Sequence, residues 1–99
     1  MCGAKAGGVS TEGVDLAKES VIQGVVTRAG EPVAGAYVRL LDGNGEFTAE
    51  VPTSATGQFR FFAAPGSWTV RTLAPGGVVA DRTAVAAKGS VAEVPVNLD

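Results

Sequence analysis

The stretch from Gly57 to Leu73, GQFRFFAAPGSWTVRTL, constrains the fold more than any other part of the chain. Phe59 and Phe61 alternate with Gln58 and Arg60, and Trp68 and Val70 alternate with Ser67, Thr69 and Arg71. That is the two-residue period of half-buried β-strands. Pro65-Gly66 holds the two runs apart with turn chemistry. Two strands cannot bury Phe59, Phe61, Trp68 and Val70 between themselves, so a second layer must cover those side chains.

The remaining chain offers strands for that layer. Ser20 to Thr27 puts Ile22, Gly24 and Val26 on one face and Val21, Gln23 and Val25 on the other, and Gly24 leaves room for a neighbouring aromatic ring. Arg28-Ala29-Gly30-Glu31-Pro32 reads as a turn. Gly35 to Leu41 follows, with Val38 and Leu40 inward and Tyr37, Arg39 and Leu41 outward, and Asp42-Gly43-Asn44-Gly45 closes a hairpin. Glu46 to Val51 alternates Phe47, Ala49 and Val51 against Glu46, Thr48 and Glu50. After Ala74-Pro75-Gly76-Gly77, Val78 to Ala86 forms a further strand, and Val94, Val96 and Leu98 alternate to the end. Pro95 places this last strand at an edge, or turns its amide away from the ladder. Seven short strands separated by turn signals predict an all-β, seven-stranded β-sandwich.

Composition agrees and narrows the functions open to the chain. Of 99 residues, 14 are Gly and 5 are Pro, which suits short strands and tight turns. A net charge of -2, from 8 basic and 10 acidic residues in mixed order, provides no footprint for nucleic acid or an anionic membrane. No apolar run approaches the roughly 18 residues of a membrane span, and the first ten residues, MCGAKAGGVS, lack the apolar core of a secretion signal. With one cysteine there is no internal disulfide, and the expected compartment is the cytoplasm. Residues 1–19, rich in Gly and Ala at the start, read as a flexible N-terminal arm ahead of a domain at residues 20–98.

Three blocks carry a family resemblance: Ile22-x-Gly24-x-Val26; Pro32-Val33-Ala34-Gly35-Ala36-x-Val38-x-Leu40; and Gly57-x-Phe59-x-Phe61 with Pro65-Gly66-x-Trp68-x-Val70. They resemble the transthyretin-like, carboxypeptidase-regulatory-like domains, which implies a Greek-key sandwich over residues 20–98. More narrowly, GAYVRLLD, FTAEV and FRFFAAPGSWTVR with a Met-Cys start look like a small actinobacterial family of unknown function associated with thiosulfate sulfurtransferase (rhodanese). The resemblance implies a pathway, sulfur metabolism, rather than a reaction. It also excludes two activities. Transthyretin-like hydrolases rely on histidines, which this chain lacks, and pilin-type Lys-to-Asn crosslinks need a first-strand Lys that Ile22 to Val26 does not contain.

Candidate chemistry is sparse. Without His, no Ser/His/Asp or Cys/His set can be assembled, so no catalytic residues, cofactor or metal site are assigned and the protein reads as a non-enzyme. Asp42-Gly43-Asn44-Gly45-Glu46 begins as a calcium loop does, but Phe47 and Thr53 stand where Gly and Glu would be required, so a hairpin turn is expected. Cys2 is the candidate sulfur carrier. Once the initiator Met is removed, an adjacent ammonium favours its thiolate, and an arm of about seventeen residues carries it some 20 Å or more. The alternative is an inert cysteine in a tail. Arg39, Arg60 and Arg71 are expected to point outward. They form either a ladder with carboxylates such as Glu46 and Glu50, or a docking patch for a protein or small oxyanion. Phe62, out of step after Phe61, either caps the sandwich beside Ala63-Ala64-Pro65 or anchors a partner. Two functions follow: an accessory protein that binds a sulfurtransferase, with Cys2 as carrier, or a structural binding module without sulfur chemistry. Exposed strand edges allow a homodimer in either case.

Overall fold

The computed structural model describes residues 20–98, in which every regular element is a β-strand. In chain order these are β1 (Val21–Arg28), β2 (Glu31–Pro32), β3 (Tyr37–Leu41), β4 (Phe47–Pro52), β5 (Gln58–Phe62), β6 (Gly66–Ala74), β7 (Val78–Ala86), β8 (Val91–Glu93) and β9 (Val96–Asn97). One sheet, the larger by virtue of its longer strands, runs β4-β3-β6-β7, antiparallel throughout. The smaller is built around β1, which pairs antiparallel with β2 and β5 and parallel with β8 and β9. Val94 N–H donates to Gln23 O at 2.7 Å and Leu98 N–H to Thr27 O at 2.8 Å, so β8 and β9 are one edge strand interrupted at Pro95. Counted so, with β2 as the return of a tight turn, the described residues form the seven strands predicted, stacked as a sandwich.

The core fills the space between the layers. Ile22, Val26, Phe59, Phe61 and Val96 from the smaller sheet meet Val38, Leu40, Val51, Val70, Ala84 and Ala86 from the larger. Phe59 and Phe61 lie with ring centroids 6.1 Å apart and planes tilted by 55°, a favourable aromatic geometry. Trp68 shares the inner side with Val70 but sits at the rim, half-buried, where its indole N–H donates to Ala64 O at 2.9 Å. The loop after β5 thus supplies the partner for the indole tip. At the first turn Ala29 and Gly30 both have positive φ, 52° and 81°, the two-residue turn whose twist matches a right-handed hairpin.

Gly24 is the tightest point. It lies opposite Phe59 across β1 and β5. A Cβ there would stand 2.8 Å from Phe59 Cζ and collide with the Val94 carbonyl. The sequence reading, that Gly24 admits an aromatic ring, holds. The segment Val94–Pro95 bends over the same spot.

Four side chains differ in side or in exposure from what the sequence suggested. Leu41 lies on the outer side with Tyr37 and Arg39 yet is buried (7% exposed), because a register shift after Leu40 brings Phe47 opposite it. Phe47, expected inward, is thereby turned out and is 60% exposed. Arg60 does lie on the outer side of its sheet, but it is 4% exposed rather than open to solvent. Phe62 neither caps the sandwich nor stands free: it is half-buried on the same outer side, opposite Val21.

Gly24→Ala should lower stability by about 1–3 kcal/mol, the usual cost of forcing a methyl into a filled core. Urea unfolding followed by Trp68 fluorescence would check this, and an unchanged midpoint would mean that Phe59 and Val94 can retreat at little cost.

Candidate functional site

The outer side of the larger sheet is organised in rows by its register. One row reads Pro52, Tyr37, Leu73, Val79; the next Glu50, Arg39, Arg71, Asp81; the next Phe47, Leu41, Thr69, Thr83; and Ser67 with Val85 ends the series. Residues directly opposite across antiparallel strands point to the same side, so each row is a line of neighbours. Among the described residues the exposed large hydrophobic side chains, Tyr37 (52%), Phe47 (60%), Val79 (54%) and Val85 (62%), all belong to this one surface.

The charged row is internally paired. Arg39 Nε donates to Glu50 Oε2 at 3.0 Å, and Arg71 grips Asp81 with two bonds, Nε to Oδ1 at 2.9 Å and Nη2 to Oδ2 at 3.0 Å. The two-pronged hydrogen bond from Arg71 holds the Asp81 carboxyl below its ordinary range, and Asp81 in turn raises Arg71. Arg39 and Arg71 are therefore the ladder of opposite charges that the sequence offered as one alternative. Glu50 was among the expected partners. Asp81 was not, since its strand could be aligned with β6 only once the register was known.

The smaller sheet has a different outer side. Arg60, Gln23 and Glu93 form a row across β5, β1 and β8. Arg60 Nε donates to Gln23 Oε1 at 2.9 Å, and Gln23 Nε2 donates to Glu93 Oε2 at 2.7 Å. Burial pushes the Arg60 guanidinium below its ordinary range, and Glu93 partly restores it. A recess of about 60 Å³ is lined here by Gln23, Gly24, Val25, Gln58, Phe59, Arg60 and Glu93. It is far smaller than the roughly 300 Å³ at which small-molecule pockets begin.

The sequence-predicted site residues are thus divided. Arg39 and Arg71 share one surface, whereas Arg60 and Phe62 lie on the other sheet. Cys2 and the arm at residues 1–19 lie outside the described residues. In the Asp42 turn, Asp42 Oδ1 accepts from the N–H groups of Asn44 and Glu46 at 2.9 and 3.0 Å, so this carboxylate holds the hairpin closed. Sequence reasoning missed Tyr37, Phe47, Val79 and Val85 as a set, because they come from three separate strands and meet only through register.

The family model described as protein of unknown function (DUF1416) matches residues 2–98. The chain belongs to the DUF1416 family. This DUF1416 protein is 68% identical over 66 residues to an uncharacterized protein of Mycolicibacterium smegmatis, an alignment spanning 66% of this chain and 73% of the relative. It is 61% identical over 79 residues to the uncharacterized proteins Rv0814c and Rv3118 of Mycobacterium tuberculosis, over 78% of this chain and 79% of each relative. Among solved structures it is similar to the crystal structure of BcpA*(D312A), the major pilin subunit of Bacillus cereus, with a TM-score of 0.65 and 19% identity. That match covers 81% of this chain and only 28% of the pilin, and it speaks to the β-sandwich fold alone. None of these comparisons links the DUF1416 protein to rhodanese or to sulfur metabolism. No helix among the described residues is long and apolar enough to cross a membrane.

Because Asp81 is held low by Arg71, its contribution to stability is present above the ordinary carboxylate range and is lost as pH falls through the depressed value. Wild type should therefore be slightly more stable than Asp81→Asn above about pH 4, with the difference vanishing on further acidification. Thermal melts of both proteins at several pH values would check it; a difference that persists at low pH would assign the effect to something other than ionisation.

Proposed function

We propose that the DUF1416 protein is a non-enzymatic protein-binding sandwich whose docking surface is the outer side of β4-β3-β6-β7. One observation carries this reading: Tyr37, Phe47, Val79 and Val85 are exposed together on that side, around two satisfied ion pairs. Apolar groups gathered on one surface mark interaction sites far more than the same groups scattered singly. Tyr and Phe serve as anchors, and paired arginines keep the centre of such a surface soluble while offering hydrogen bonds at its rim. Arg39 and Arg71 are the docking residues on this reading, acting through their ion pairs rather than as free oxyanion receptors.

The partner suggested by the family resemblance is a rhodanese-type sulfurtransferase. The lone cysteine, Cys2, favours extending the reading to sulfur carriage. The Cys2 thiolate would attack the outer sulfur of the partner's persulfide; the sulfur–sulfur bond in the partner breaks, its thiolate leaves, and Cys2 becomes the persulfide. No oxidant or reductant is consumed in that exchange.

Binding of the purified chain to the rhodanese-type enzyme of its own organism should be measurable in solution. It should weaken at least about tenfold when Tyr37 and Val79 are both changed to Ser, with folding unchanged. No binding, or equal binding by the variant, would remove that surface from the account. For carriage, incubation with the same enzyme and thiosulfate should add about 32 Da to wild type and nothing to Cys2→Ser. Binding without that addition leaves a docking module with an idle cysteine.

A further inference from the structure

Among the described residues β7 is a long sheet edge that nothing in its own sequence guards. It runs nine residues, Val78–Ala86, and pairs with β6 along its whole length without a register shift. No described strand pairs with its other edge. Open edges attract further strands, and proteins commonly blunt them with Pro, Lys, a bulge or a short length. The other edges here are blunted: β4 meets a register shift and ends in Pro52, β5 has only five residues, and β8 and β9 break at Pro95. The β7 sequence VVADRTAVA has none of these devices. Its two charged side chains are turned back onto the molecule, Asp81 by Arg71 at 2.9 and 3.0 Å and Arg82 by the Asp81 and Asn97 carbonyls at 2.9 and 3.2 Å.

The strand is also complementary to itself. A second β7 laid antiparallel about a two-fold axis normal to the sheet keeps both outer sides on one surface only if odd-numbered residues meet odd-numbered ones. With Arg82 on the axis, Val79 stands opposite Val85 of the second copy and Asp81 opposite its Thr83. Val79 and Val85, 54% and 62% exposed, then cover each other at both ends of the pairing, and the Thr83 hydroxyl is placed to donate to the Asp81 carboxylate. No neighbouring register does this. With the axis at Asp81 two carboxylates would oppose each other, and with the axis at Thr83 each Asp81 would face Val85. The outer row Tyr37, Leu73, Val79 of one copy runs on into Val85 and Ser67 of the other. On the inner side Arg82 meets Arg82, each guanidinium drawn off to the Asn97 carbonyl of its own copy.

We propose that two copies of this chain join β7 to β7 in the register centred on Arg82, so that the four strands of each larger sheet become one continuous antiparallel sheet. The docking surface of each copy is then extended by the other instead of being covered. A strand pair alone is a small interface, so the dimer is weak and depends on concentration. The inference is independent of the sulfurtransferase partner proposed above, since it needs no protein but this one.

The test is sedimentation equilibrium of the full-length protein alone, from about 1 to about 300 μM and with a reductant present so that Cys2 cannot link copies. Wild type should pass from monomer towards dimer across that range. V79K/V85K sets like charges opposite each other at both ends of the pairing and should weaken association at least about tenfold. V79K/V85E sets opposite charges there and should bring association back to within about threefold of wild type, with Trp68 fluorescence native in both variants. A wild type that stays monomeric throughout, or a V79K/V85K protein that dimerises equally well, would overturn the proposal. A dimer that V79K/V85K weakens and V79K/V85E does not restore would also overturn it, in favour of contact through the open side of the larger sheet.

Discussion

The fold depends on β1 and on the one place in it where no side chain is tolerated. Every strand of the smaller sheet hydrogen-bonds to β1, two on an antiparallel ladder and two on a parallel one. At Gly24 the missing Cβ is replaced by the Phe59 ring from one neighbour and the Val94 carbonyl from the other. That close approach lets Phe59 reach the centre of the sandwich and lets the final strand bend at Pro95 without leaving β1. A larger residue would separate β5 and β8 from β1 together, and the aromatic core would lose its floor.

Much of this arrangement was legible from the chain. The alternation around Pro65-Gly66 located Phe59, Phe61 and Val70 correctly, since a two-residue period leaves little choice of side once a single surface is apolar. Gly24 and Pro95 were informative for the same reason: each removes something the backbone or its neighbours would otherwise require. Alternation failed at Leu41 and Phe47, where one extra residue in β4 reverses the side on which Phe47 emerges. Nothing local in EFTAEV marks that bulge. It follows from closing the Asp42 hairpin, whose carboxylate is committed to the Asn44 and Glu46 amides.

The candidate site was less legible because it is a product of register. Arg39 and Arg71 could be assigned outward from their own strands, but the partnership of Arg71 with Asp81 and the gathering of Tyr37, Phe47, Val79 and Val85 depend on how four strands align. Arg60 shows the converse. Its side was read correctly and its exposure was not, because period two says which way a side chain points and is silent about what lies above it.

The two outer sides therefore have different characters: one apolar around neutralised charges and open, the other closed over a shielded arginine. The most direct measurement is a set of proton NOEs in solution between Gly24 Hα and the Phe59 ring, with Gly24 Hα shifted by the ring current. The account predicts strong cross-peaks and slow amide exchange along Val21 to Thr27; a Phe59 ring remote from Gly24, or rapid exchange along that strand, would contradict it.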